Sequence, residues 1–164
     1  MDRQRKKDKL YLDIAERFSK ESNCISFKVG CVIVKDGRII SSGYNGTPSG
    51  FINCNEKFAD WNEVRFGPGP SDAEKKRRRE EHHEWSNNFE IHSEMNCLLY
   101  AAKYGICIDG ATIYSTVQPC NQCLKNIIQS GIKRIVYHKL YDKVVYDSEI
   151  LELIESSGIK LDQI

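Results

Sequence analysis

Ala111-Thr-Ile-Tyr-Ser-Thr-Val117-Gln-Pro119-Cys120-Asn-Gln-Cys123 decides the fold. Residues 111–117 are mostly β-branched or aromatic, which predicts a strand. Pro119 suits a helix start, because the donor it lacks would be orphaned there. That helix is predicted to run to about Ser130 and to stop at Gly131. Downstream, Lys133 to His138 reads as a strand and Asp147 to Glu155 as a helix. Gly158 ends that helix, and Ile159 to Ile164 forms a last strand. Upstream, His92 and Glu94 open an apolar stretch, Met95 to Ala102, that ends near Gly105. Leu10, Ile14 and Phe18 recur every four residues and predict an amphipathic helix over Leu10 to Ser19. Val29 to Val34 and Arg38 to Ser42 flank Asp36-Gly37, a strong hairpin signal. The order α-β-β-α-β-α-β-α-β predicts an α/β chain, a five-stranded mixed sheet with helices on both faces.

The chain has 164 residues, which suits a single domain spanning 1–164. Its 24 basic and 23 acidic residues balance to +1, so no stable nucleic-acid partner is expected. No apolar run is long enough to span a membrane, and no secretory core is present. Seven cysteines in that context point to thiols and metal ligands in a reducing cytoplasm. Met1 to Lys9 is charged and is expected to fray. Phe51 to Phe89 is polar, with Gly67-Pro-Gly-Pro70 inside it, and is too long for a structureless loop. It should be a folded insertion, helical around Asp72 to Glu84. Lys75-Lys-Arg-Arg-Arg79 is flanked by Glu74, Glu80, Glu81 and Glu84, so a solvated helix face is expected. Cys31, Cys97 and Cys107 lie in apolar surroundings and are expected in the core.

His92, Cys120 and Cys123 supply one nitrogen and two sulfur donors. A zinc ion with three protein ligands keeps a position for water, and lowers its pKa to about 7. Glu94, outside that set, can carry protons to a ring nitrogen and a leaving amine. A lone Cys-x-x-Cys also fits a redox pair or half a structural site. His-x-Glu followed by Pro-Cys-x-x-Cys is the zinc-deaminase pattern, with the Glu as acid and base. If both segments open helices, two positive helix ends converge on the metal.

Four segments carry a family resemblance: Lys28-Val29-Gly30-Cys31-Val32-Ile33, Gly43-Tyr44-Asn45-Gly46-Thr47-Pro48-Ser49-Gly50, His92-Ser-Glu94-Met-Asn96 and Pro119-Cys120-Asn-Gln-Cys123. The chain resembles the cytidine/deoxycytidylate deaminase superfamily, most closely its phage-type deoxycytidylate branch. The resemblance implies a three-layer α-β-α sandwich of the cytidine deaminase kind and conversion of dCMP to dUMP. It implies zinc on His92, Cys120 and Cys123, with Glu94 as the proton carrier. Asn45 matches a sugar-binding residue and Tyr141 one near the phosphate. Locally, Asn45 also suits a left-handed turn and Tyr141 a strand end. Family members form hexamers, activated by dCTP and inhibited by dTTP with Mg²⁺, which would act through the loop of Gly43, Tyr44, Gly46 and Gly50. The glycines alone would equally serve tight turns. Many cellular relatives carry Arg near position 21, where this chain has Glu21. Phosphate must then be met by Lys28, backbone amides or a neighbouring subunit.

The resemblance also implies a second, structural zinc on Cys24, Cys54, His82 and Glu90, with His83 a rival to His82. Four protein ligands would close that site and tie the insertion to the hairpin. Two alternatives stand beside a nucleotide deaminase. One acts on bases in tRNA or single-stranded nucleic acid and calls for a basic groove. The other is a non-catalytic zinc module, which has no use for Glu94.

Overall fold

A computed structural model describes residues 3–142 and 144–164. Helix α1 (Arg3–Ser19) precedes the hairpin β1 (Gly30–Lys35) and β2 (Arg38–Tyr44). Helices α2 (Cys54–Lys57), α3 (Trp61–Phe66) and α4 (Asp72–Phe89) come from the insertion. Then follow α5 (Ser93–Tyr104), β3 (Thr112–Val117), α6 (Asn121–Gln129), β4 (Arg134–Lys139), α7 (Ser148–Ser157) and β5 (Lys160–Gln163).

The sheet order is β2-β1-β3-β4-β5. β1 is antiparallel to both β2 and β3, while β3, β4 and β5 are parallel. Four strands therefore run one way, with β1 alone opposed. The ends of β2, β3 and β4 and the start of β1 share one edge. Asp36 and Gly37 both take positive φ, 51° and 74°, as a two-residue hairpin turn requires.

β1 is buried on both faces, and its side chains alternate between two layers. Val32 and Val34, with Tyr114 and Val136, pack under Tyr11, Leu12 and Ala15 of α1. Cys31, Ile33, Ile113 and Ile135 pack under Cys97 and Leu98 of α5 and Leu124 and Ile127 of α6. Ile150 and Ile154 of α7 complete that second layer. Gly30 lets α1 lie close, since a β-carbon there would collide with the Ala15 carbonyl oxygen. Among the described residues, no helix is long and apolar enough to cross a membrane.

Three expectations need correction. Residues from Arg3 onward do not fray but form the first turns of α1. Asp8, 1 % exposed, anchors them: it accepts from both Nη atoms of Arg134, at 2.8 and 2.9 Å, and from the Tyr114 hydroxyl at 2.8 Å. Cys107 is exposed rather than core, in the turn between α5 and β3, where Lys35 Nζ donates to its carbonyl at 3.2 Å. Within the basic run, Arg78 is not merely solvated. It pairs with Asp60 and Glu81 and lies 5.3 Å from the Phe58 ring, fastening α4 to α3 and α2. The rest of the expectation suits Lys76 and Glu80, an exposed pair one helical turn apart.

Burial alone would push the Asp8 carboxyl up, but Arg134, Tyr114 and Gln4 hold it below its ordinary value. A depressed carboxyl stabilises the fold above its unfolded value of about 3.9, and that stability is lost as pH falls through the folded value. Arg134→Met should therefore cost about 3–5 kcal/mol at pH 7 by leaving a buried charge unpaired. The gap to wild type should narrow on the acid side as Asp8 protonates, measured by urea unfolding at several pH values.

Candidate active site

His92 is the N-cap of α5 and Cys120 the N-cap of α6, both in extended backbone. Pro119 thus stands one residue before the cap, not at the first helical position. The expected meeting of two helix starts does occur. α6 follows β3 directly, which places Cys120 at the strand end. α5 reaches the same edge through Ile91, whose backbone pairs with Gly46 just past β2. The Tyr146 hydroxyl donates to the Pro119 carbonyl at 2.6 Å and steadies the turn before Cys120.

His92 Nδ1 lies 3.5 Å from Cys120 Sγ and 3.4 Å from Cys123 Sγ. Tetrahedral zinc with bonds of about 2.0 Å to nitrogen and about 2.3 Å to sulfur sets such pairs about 3.5 Å apart. The donor set therefore fits the ion. The neighbouring thiol of Cys123 holds the Cys120 thiol down at about 4, and His92 helps. The Cys120 sulfur in turn raises His92. Zinc binds sulfur in its ionised form, which a helix start favours.

Glu94 sits beside this cluster, 4 % exposed, in the first turn of α5. Burial pushes its carboxyl above its ordinary value. Its Oε2 accepts from Ser93 Oγ at 3.1 Å and its Oε1 from Ser115 Oγ at 3.3 Å. The Ser115 oxygen also accepts from the Val117 amide at 3.4 Å, so its own hydrogen is free to point at Glu94. Neither serine was singled out in the sequence. The available signal was a lone Ser115 between Ile113 and Val117 on the inward row of β3.

Cys24, Cys54, His82 and Glu90 form a second convergent group, with Cys54 Sγ 3.2 Å from His82 Nε2. His82 is buried, whereas His83 is exposed and contacts Asn87. Of the two histidines, His82 is the one that joins the group. The Cys54 thiol holds the Cys24 thiol down at about 3. Glu90 Oε2 accepts from Ser86 at 2.6 Å, while the buried Oε1 has no hydrogen-bond partner. A buried acceptor left unpaired beside two thiols and an imidazole fits a cation there. Phe58, Trp61 and Trp85 enclose the group.

The remaining candidates divide. Asn45 is buried and not left-handed; its Nδ2 donates to the Phe27 carbonyl and its Oδ1 accepts the Val29 amide, each at 2.8 Å. Tyr141 stands half-buried at the same edge, while Lys28 is exposed. Gly43 lies within β2 rather than in a free loop: a β-carbon there would come within 2.8 Å of the Ser93 oxygen. Tyr44 offers its carbonyl to Asn96 Nδ2 at 2.7 Å. Gly46 forms the bridge to Ile91, and Gly50 alone needs its glycine for φ, at 86°.

The model of the cytidine and deoxycytidylate deaminase zinc-binding region matches residues 5–139. The deoxycytidylate deaminase of Enterobacteria phage T2 is 46 % identical over 149 residues, covering 80 % of this chain and 79 % of the relative. That of Enterobacteria phage T4 is 46 % identical over 149 residues, covering 80 % and 77 %. The crystal structure of dCMP deaminase from cyanophage S-TIM5 matches with a TM-score of 0.70 at 30 % identity, covering 100 % of each chain. The same cyanophage enzyme in complex with dCMP and dUMP matches with a TM-score of 0.69. With the sheet order, the His-x-Glu and Cys-x-x-Cys geometry and these matches in agreement, the chain belongs to the zinc-binding cytidine and deoxycytidylate deaminase family, on its phage deoxycytidylate deaminase branch.

Proposed function

We propose that this chain hydrolyses dCMP to dUMP and ammonia, supplying dUMP for thymidylate synthesis. The observation that carries the reading is Glu94, a buried carboxylate poised beside a His-Cys-Cys cluster in a chain closely similar to phage dCMP deaminases. His92, Cys120 and Cys123 would hold the catalytic zinc, which when bound supplies the acidity that makes water a nucleophile at neutral pH. Glu94 takes the proton from the attacking water and delivers it to N3 of the cytosine ring. Once the water oxygen is bonded to C4, Glu94 carries the second proton, from the new C4 hydroxyl, to the amine nitrogen; the C4 carbonyl forms, the C4–N bond breaks, and ammonia leaves. Ser93 and Ser115 each occupy one lone pair on a different carboxylate oxygen, leaving the others for this transfer. Holding the carboxylate in one orientation keeps it within reach of both positions.

Cys24, Cys54, His82 and Glu90 would hold a second, structural zinc, a reading supported by the unpaired Glu90 Oε1. Asn45 would reach the sugar, and Tyr141 and Lys28 the phosphate. Regulation by dCTP and dTTP with Mg²⁺ would enter through the segment of Gly43, Tyr44, Gly46 and Gly50. Its support is direct backbone contact between that segment and the start of α5. Assembly into a hexamer is supported by Leu99, Tyr100 and Tyr104, an apolar row left exposed on α5. We place the reaction in the cytoplasm, or the host cytoplasm for a viral chain.

Glu94→Gln should lower kcat by about 10²- to 10⁴-fold, the usual share of a general acid–base residue. Metal analysis of that variant should still find about two zinc per chain, since Glu94 lies outside both ligand groups. Replacing Cys24 and Cys54 together by Ala should remove one zinc and lower the melting temperature; an unchanged metal count would remove the second site. Ammonia release from dCMP, dCTP, deoxycytidine and a tRNA anticodon stem-loop, each offered separately, tests the substrate. Turnover is expected with dCMP, and turnover of the stem-loop alone would overturn the nucleotide reading.

A further inference from the structure

The link from β3 to α6 contains a gap in backbone pairing, which one side chain from far along the chain fills. The Gln118 amide donates to the Lys139 carbonyl at 2.8 Å and ties the end of β3 to β4. The Cys120 carbonyl accepts from the Leu124 amide at 2.8 Å and opens the α6 ladder. Pro119 lies between them and has no N–H to give. Its own carbonyl stands past the sheet pairing and before the helix ladder, on a residue that is fully buried. Such a carbonyl needs a partner, since a buried one left unpaired costs about as much as a lost hydrogen bond. Tyr146, 27 positions away, supplies it: its hydroxyl donates to the Pro119 oxygen at 2.6 Å.

Helix α7 places that phenol. Tyr146 directly precedes Asp147, the N-cap of α7, whose Oδ1 accepts from the Ile150 amide at 3.0 Å. The Tyr146 ring packs against the same core layer as Ile150 and Ile154. Burial raises the phenol, so it keeps the proton that it donates. On the other side of the bond, the Pro119 carbonyl and the Cys120 amide belong to one planar peptide. Holding the carbonyl therefore fixes the plane from which the Cys120 side chain departs. Cys120 itself is extended, at φ −69° and ψ 164°, and its side chain makes no capping bond. Cys123 is placed by the helix that contains it, whereas Cys120 depends on the turn before that helix.

We propose that Tyr146 is a positioning residue for the catalytic metal: through the Pro119 carbonyl, its hydroxyl holds the Cys120 sulfur where it closes the group with His92 and Cys123. This assignment rests on the zinc reading of those three side chains. It also gives α7 a part in the site, since the helix that covers the core layer carries the group that steadies a ligand.

Zinc titration against a chromogenic chelator, on wild type and single variants, provides the test. Cys120→Ser identifies the binding phase that belongs to the catalytic group. Tyr146→Phe removes one hydroxyl and keeps the ring in its packing. It should loosen that phase by about 10- to 100-fold, the usual cost of losing a partner behind a metal ligand, and leave the other zinc unchanged. With Co²⁺ in place of zinc, the same variant should shift the sulfur-to-metal absorption band. Ile154→Val trims the packing of α7 without touching the hydroxyl and should leave both readouts at their wild-type values. Wild-type affinity and an unshifted band in Tyr146→Phe would overturn this proposal alone. Equal loosening by Ile154→Val would overturn it too, by showing that the docking of α7 and not the hydroxyl matters. A wild type with no phase that Cys120→Ser removes would overturn the zinc reading and this proposal with it.

Discussion

Helix α5 and strand β2 touch backbone to backbone at Gly43, where a β-carbon would lie 2.8 Å from the Ser93 oxygen and 3.1 Å from the Cys97 nitrogen. That contact sets the height of α5 above the sheet. Ser41 Oγ donates to the Cys97 carbonyl, and Asn96 Nδ2 to the Tyr44 carbonyl, so the register along β2 is fixed as well. His92 caps this helix and Glu94 lies in its first turn; both are therefore placed by main-chain geometry. Cys120 and Cys123 arrive independently, at the end of β3, and the two helix starts meet over the same edge. A shift of α5 by a fraction of its pitch would leave the sulfurs in place and carry the imidazole and the carboxylate away.

The two clusters offer similar donors, and their carboxylates are placed differently. Glu90 stands within its group, with one carboxylate oxygen left without a hydrogen-bond partner. Glu94 stands outside its group and is held by two hydroxyls instead. Four protein donors close a coordination sphere, whereas three leave a place for a reactant. The clusters are also neighbours in the chain: Glu90 caps the end of α4, His92 caps the start of α5, and only Ile91 separates them. Ile91 pairs with Gly46, so the insertion, the glycine-rich segment and helix α5 meet within three residues.

Much of this was legible in the chain itself. The β-branched run before Pro119, the Asp36-Gly37 turn and the glycines at 105 and 158 mark elements by local rules. The spacing of His92, Glu94, Cys120 and Cys123 carries its chemistry in the residue types. What could not be read depends on distant partners. Residues 3–9 look like a frayed end until Asp8 meets Arg134, which is 126 positions away. Cys107 has apolar neighbours in sequence, yet a turn puts it at the surface. Arg78 is one of five basic residues in a row, and only the approach of α3 distinguishes it. Ser115 gains its role solely because α5 lays Glu94 across it. Gly43 reads as part of a turn-rich loop, although its lack of a side chain serves a helix contact.

The central claim is that one buried carboxylate beside a His-Cys-Cys zinc site works on the 4-amino group of a bound cytosine nucleotide. Its most direct test is a zinc-loaded crystal of the Glu94→Gln variant soaked with dCMP, with anomalous scattering recorded at the zinc edge. The account predicts an anomalous peak among His92, Cys120 and Cys123, with intact dCMP placing C4 toward that peak and its amino group beside position 94. A nucleotide bound away from position 94, or no peak between those three side chains, would contradict it.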